Sequence, residues 1–247
     1  MIKLFILLLT LQATLYAIVN TEPLPAITKQ GFSQQLNING HFYSGNNNYL
    51  ALNPTYTLSY QATTTANLKT FLISDIAYAK SEQTIIKNSS FMMLRFVNNI
   101  STTKSIEPFI QNSSNSFLDL KQRFLTGIVL RNQLFYTSTL TLHTTIGLLA
   151  EYENITNQAA TTISRASLCT ILDKKIYQSN HLYTIIYIQP KLDEFNDLRL
   201  MLQLRLTQPL TDYISTQTAL KITFDNQPPN GLNKTDSYIT QSLQLNF

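Results

Sequence analysis

The feature that most constrains this chain is a period of two that recurs along almost its whole length, with charge confined to one phase. The last ten residues show it plainly. Ile239, Leu243, Leu245 and Phe247 share one parity, and Tyr238, Thr240, Ser242, Gln244 and Asn246 share the other. Side chains of a strand alternate between its two faces, so such a stretch reads as a strand with one apolar and one polar face.

Twelve segments of this kind follow one another after residue 31. Examples are Leu50, Leu52, Tyr56, Leu58 and Tyr60 against Asn53, Thr55, Thr57 and Ser59, and Leu198, Leu200, Leu202, Leu204 and Leu206 against Arg199, Gln203 and Arg205. The charges obey the faces. Lys69, Asp75, Arg95, Glu107, Arg123, Arg131, Glu151, Arg165, Lys191, Arg199, Arg205, Lys221 and Asp225 all fall on the polar parity. A charge at the lipid midplane costs about 2–4 kcal/mol for Arg or Lys, so this sorting is what a bilayer on the apolar side would impose. The segments run long enough for tilted strands to cross a membrane, and sandwich strands are usually shorter.

Composition agrees. Charged residues make up only 13% of the chain, well below the usual share, while Ser, Thr, Asn and Gln are abundant. There is no Trp, so an interfacial belt must be built from Tyr and Phe. A net charge of +4 without a basic cluster does not point to nucleic acid. Cys169 is the only cysteine, which excludes an intrachain disulfide. No spacing of metal ligands and no glycine-rich phosphate loop is present, so no cofactor is expected.

Residues 1–17 read as a secretory signal peptide, with Lys3 before the apolar run Leu4–Leu11 and Ala17 at the cleavage point. Residues 18–31 form a periplasmic lead-in, and 32–247 the barrel. The expectation is an all-β, transmembrane, antiparallel up-and-down β-barrel of about twelve strands in the outer membrane of a Gram-negative bacterium. Ten strands result if the weak fifth segment, Ile106 to Gln111, does not span. An even count puts both barrel termini in the periplasm. The turns at 63–67, 102–104 and 208–211 are then periplasmic and short. The stretches at 81–88, 112–117, 154–161 and 226–235 are extracellular and longer. Pro54, Pro108 and Pro190 lie inside segments and are expected to mark rims or bulges.

A strand that ends the chain on an aromatic residue resembles the final strand of bacterial outer-membrane barrels. That resemblance implies that Ile239, Leu243, Leu245 and Phe247 form the signal read by the barrel-assembly machinery. Ile38-Asn39-Gly40-His41-Phe42-Tyr43-Ser44-Gly45-Asn46 resembles the opening of the salt-induced outer-membrane protein family, a family of unknown function. Asp225-Asn226-Gln227-Pro228-Pro229-Asn230-Gly231 with Lys234-Thr235-Asp236 resembles its final loop, and Leu118 to Gly127 its central segment. The resemblance spans nearly the whole mature chain and implies an outer-membrane barrel without supplying a substrate.

A barrel enzyme acting on lipids or peptides would need a serine–histidine or acid–histidine cluster. His41, His143 and His181 have no such partner in sequence, and Glu151 with Glu153 reads as a strand end. The expected function is therefore non-enzymatic, either a narrow, anion-preferring pore for small ions or solutes or a structural, stress-adaptation barrel held by outer-membrane lipid. An outer-membrane enzyme is the alternative. The thirteen charges above are the candidate lumen residues, either lining a channel or bridging one another in a filled barrel.

Overall fold

A computed structural model describes residues 30–43, 49–63, 67–81, 84–116, 119–177, 179–228 and 233–246. The expected signal peptide, nearly all of the lead-in and Phe247 lie outside them. Twelve strands close into one antiparallel barrel, each paired with its sequence neighbours and the last with the first. They are β1 (Gly31–Tyr43), β2 (Tyr49–Gln61), β3 (Leu68–Ser81), β4 (Thr84–Asn99), β5 (Lys104–Asn115) and β6 (Leu120–Tyr136). β7 (Leu140–Ile155), β8 (Thr161–Lys175), β9 (His181–Pro190), β10 (Leu198–Pro209), β11 (Ile214–Asp225) and β12 (Thr235–Asn246) complete it. β5 is a full strand, so the count is twelve and not ten. The end where β1 begins and β12 stops is called the terminal end below, and the other the loop end.

The barrel is apolar outside. Leu52, Ile76, Met92, Ile110, Ile128, Ile146, Leu148, Leu168 and Ile186 are large, outward and exposed. Water would penalise that arrangement and hydrocarbon would not, because only lipid lets an apolar face go uncovered at this scale. Exposed aromatics ring the terminal end: Phe32 and Tyr60, whose ring centroids are 4.8 Å apart, then Phe135, Tyr136, Tyr177 and Tyr213. The belt that lacks Trp is thus built from Phe and Tyr. The outer-face lysines within strand bounds, Lys80, Lys104 and Lys174, sit at strand ends.

Two expected long loops are strand. β4 starts at Thr84 and β5 continues to Asn115, leaving connections of only 82–83 and 116–119. The polar residues that mimic a loop face outward above the apolar belt. Ser90 and Ser114 hydrogen bond at 2.8 Å, and the Gln122 amide donates to Asn112 at 3.1 Å. The expected length contrast between the two ends shrinks accordingly.

The prolines are not bulges. Around Pro54 the β2–β3 ladder stops at Leu52↔Tyr78 and resumes at Thr55↔Asp75 in the same register. Around Pro108 the β4–β5 ladder stops at Arg95↔Phe109 and resumes at Asn98↔Ile106. Each proline keeps full pairing on its other side, at Ile38↔Pro54 and Pro108↔Ile128. A residue without N–H opens one ladder locally and leaves the sheet in register. Pro190 ends β9 and does mark a rim. The actual irregularities lie near strand ends, between Ala79 and Lys80, Ser113 and Asn115, Leu120 and Gln122, and Gln133 and Phe135.

The closing seam is short. β1 pairs with β12 from Gln35↔Asn246 to Ile38↔Leu243, whereas β1 pairs with β2 over its whole length.

Candidate functional site

The polar parity points inward, and its charges assemble into a lumen network. At the loop end Arg199, near the start of β10, is the hub. Its Nη1 donates to Glu151 Oε1 at 2.9 Å, its Nε to Asp225 Oδ2 at 3.0 Å, and its Nη2 lies 3.8 Å from Glu153. Glu151 and Glu153 are on β7, three strands away, so this guanidinium crosses the lumen as a strut. Arg123 on β6 pairs with Glu153 and lies 3.5 Å from Glu151. Arg165 on β8 grips Asp197 with both Nη atoms, at 2.9 and 3.2 Å, and so ties down the connection between β9 and β10. Lys191, outside the spanning strands, lies 3.4 Å from Asp193 and 3.5 Å from Glu194. Desolvation pulls its ammonium down, but those two carboxylates outweigh it and hold it above its ordinary range.

A second network sits toward the terminal end. Glu107 on β5 binds Arg95 on β4, receives Arg131 Nε from β6 at 2.7 Å, and accepts the Ser105 hydroxyl. Arg95 and Glu107 are fully buried. Arg205 stacks its guanidinium over the Tyr183 ring, 4.5 Å from the centroid. Halfway along, Lys221 on β11 is within electrostatic range of Asp75 on β3, which also accepts the Thr55 hydroxyl at 2.6 Å.

Between the networks the inward face is apolar on one side. Ile73, Met93, Phe109, Leu125, Val129 and Leu149 form one buried cluster on β3–β7. Cys169, Ile171, Ile185, Tyr187 and Met201 form another on β8–β10. Gly127 makes room for the first, because a Cβ there would stand 2.9 Å from both Phe109 and Leu149 and 2.7 Å from the Leu148 carbonyl. The other side differs. Asn53, Thr55, Asp75, Gln203, Gln217 and Thr240 face inward from β2, β3 and β10–β12 and remain partly accessible to solvent.

Among the sequence-predicted charges, Arg95, Arg123, Arg165, Arg199, Arg205, Lys221, Glu107, Glu151 and Asp225 are inward and buried. Arg131 and Asp75 are inward and half-buried, as is Lys69 near the terminal end. Lys191 sits on the loop-end rim in an isolated bridge with Arg165. Two partners were missed. Glu153, read as a strand end, lies inside β7 and is buried against Arg123. Asp197 precedes the first residue of β10 and shares the inward parity of Arg199, so extending that segment by one residue would have found it. Of the assembly segment, Ile239 and Leu243 are exposed on the outer face and Leu245 is half-buried. His181 lies 3.3 Å from Asp173 at the terminal end, half-exposed. No group of His, Cys, Asp and Glu among the described residues could hold a metal ion.

A closed twelve-stranded antiparallel barrel, apolar outside and charged within, is the architecture of outer-membrane β-barrels. The KdgM porin superposes with a TM-score of 0.53 at 10% identity, covering 87% of this chain and 99% of that one. The NanC porin superposes with a TM-score of 0.53 at 10% identity, covering 86% and 98%. A KdgM porin in complex with disordered oligogalacturonate gives a TM-score of 0.52 at 11% identity, covering 86% and 99%. No curated protein sequence matches the chain. Residues 37–247 match the model of the DUF481 family, described as proteins of unknown function, and the chain belongs to that family.

Proposed function

We propose that this protein is a non-enzymatic outer-membrane barrel with a narrow lumen that passes small polar solutes. The carrying observation is the strip of inward, partly accessible polar side chains on β10–β12 and β2–β3, which persists beside a packed opposite wall. The apolar outer face and the aromatic ring at the terminal end support a membrane setting. In this reading residues 1–17 are removed during export, the terminal end lies in the periplasm, and the last strand is recognised by the assembly machinery.

Pairing bears on the anion preference expected from the basic residues. Arg95, Arg123, Arg131, Arg165 and Arg199 each contact a carboxylate, so that preference would rest on Lys69, Arg205 and Lys221. A second reading, a purely structural barrel of the envelope with a role under salt stress, is favoured by the two apolar lumen clusters.

Planar-bilayer recording of refolded protein separates the two, with folding verified by gel mobility before and after boiling. The pore reading expects small, steady openings. A folded barrel that stays silent would leave the structural reading.

A further inference from the structure

We infer that the path through the lumen runs along the β10–β12 and β2–β3 wall and selects small neutral solutes rich in hydroxyl groups, such as monosaccharides, over ions of either sign. This rests on the pore reading above. The two walls of the lumen differ in how far water reaches their side chains. On β4–β9 the inward Phe109, Leu125, Ile185 and Tyr187 are shut off from water. On the facing wall Asn53, Thr55, Gln203, Gln217 and Thr240 are reached by it. A solute that enters must therefore meet amides and hydroxyls.

Those groups both donate and accept. They already exchange hydrogen bonds with one another across strands: the Gln217 amide donates to Gln244 at 3.2 Å and to Thr207 at 3.4 Å. A sugar hydroxyl offers the same pairing and can replace such bonds one for one. An ion gains little there. It would shed water in a narrow passage, and the fixed charges midway along the strip, Asp75 and Lys221, are of opposite sign and within range of each other, while Lys69 and Arg205 lie toward the terminal end and Asp236 toward the loop end. The larger charge networks are spent internally, Arg199 on Glu151 and Asp225, and Arg95 and Arg131 on Glu107.

The test is osmotic swelling of proteoliposomes in glucose, sodium glucuronate and glucosamine hydrochloride, three solutes of nearly one size and different charge. Glucose should enter about tenfold faster than either ion, a ratio that needs only about 1.4 kcal/mol of barrier difference. Thr240→Tyr, which fills the strip, should slow glucose about as much. Gln203→Ala shortens a lining side chain and should speed it. Ile128→Tyr on the outer face should change nothing. Equal entry of the charged solutes would overturn the selectivity while leaving the pore intact. Glucose rates unmoved by both lining variants would overturn the path. No swelling in any solute, with heat-modifiable folded protein in the vesicles, would instead bring down the pore reading itself.

Discussion

The two halves of the lumen are built on different principles. Over β4–β9, with Ile73 of β3 and Met201 of β10 at the margins, the inward face behaves like the core of a soluble protein, with apolar clusters sealed between ion-pair networks. On β10–β12 and β2–β3 the amides and hydroxyls of Asn53, Thr55, Gln203, Gln217 and Thr240 stay accessible, while Thr57, Ser59, Ser215, Ser242 and Gln244 nearer the terminal end are buried. The same backbone pattern and the same outward apolar parity serve both. What differs is whether the inward residue can be covered. The packed half braces the barrel and the wetted half leaves room in it, so stability and passage should respond to mutation on opposite sides.

Arg199→Met should break that contrast hardest. It strips the counter-charge from Glu151 and Asp225 in a buried setting, and removing one partner of a buried pair typically costs about 3–5 kcal/mol. The urea midpoint of the folded gel band should fall accordingly, and an unchanged midpoint would mean that the strut braces nothing. Gly127→Ala should cost less, about 1–3 kcal/mol, by forcing a methyl against Phe109, Leu149 and the Leu148 carbonyl. Gln203→Ala, on the wetted side, should move the same midpoint by no more than about 0.5 kcal/mol. Were it to cost as much as Gly127→Ala, the two halves would be one packed interior after all.

Sequence legibility follows the same division. β10 alternates strictly, Leu198, Leu200, Leu202, Leu204 and Leu206 against mostly polar neighbours, and its faces are read without error. The outward parity of the other strands is legible too, since lipid tolerates no exceptions in its middle. The packed half is harder. Phe124-Leu125, Ile128-Val129, Leu148-Leu149 and Ile185-Ile186 place apolar residues on both parities. A continuous apolar run marks a strand covered on both faces, and strict alternation captures only one of them. The partners of each charge were less legible still, because Arg199 meets Glu151 only once the barrel closes. Asp197 and Glu153 were lost to strand ends, where periodicity fades before the strand does. The stretches 81–88 and 112–117 passed for loops because Asn88, Ser90, Asn112 and Ser114 leave the outer face there without an apolar alternation to announce a strand.

The short seam between β1 and β12 has a consequence for the order in which the molecule is made. Eleven of its ladders join strands adjacent in sequence and can form as soon as a hairpin exists. The twelfth must bring Gln35 to Asn246 across nearly the whole chain, and it does so over the fewest rungs. Loop-closure entropy is greatest where the return in hydrogen bonds is least. By that arithmetic closure should come late, and the β1–β12 ladder should be the first to open. A cellular machine that guarded only this one junction, while the remaining strands folded by proximity, would have guarded the whole barrel.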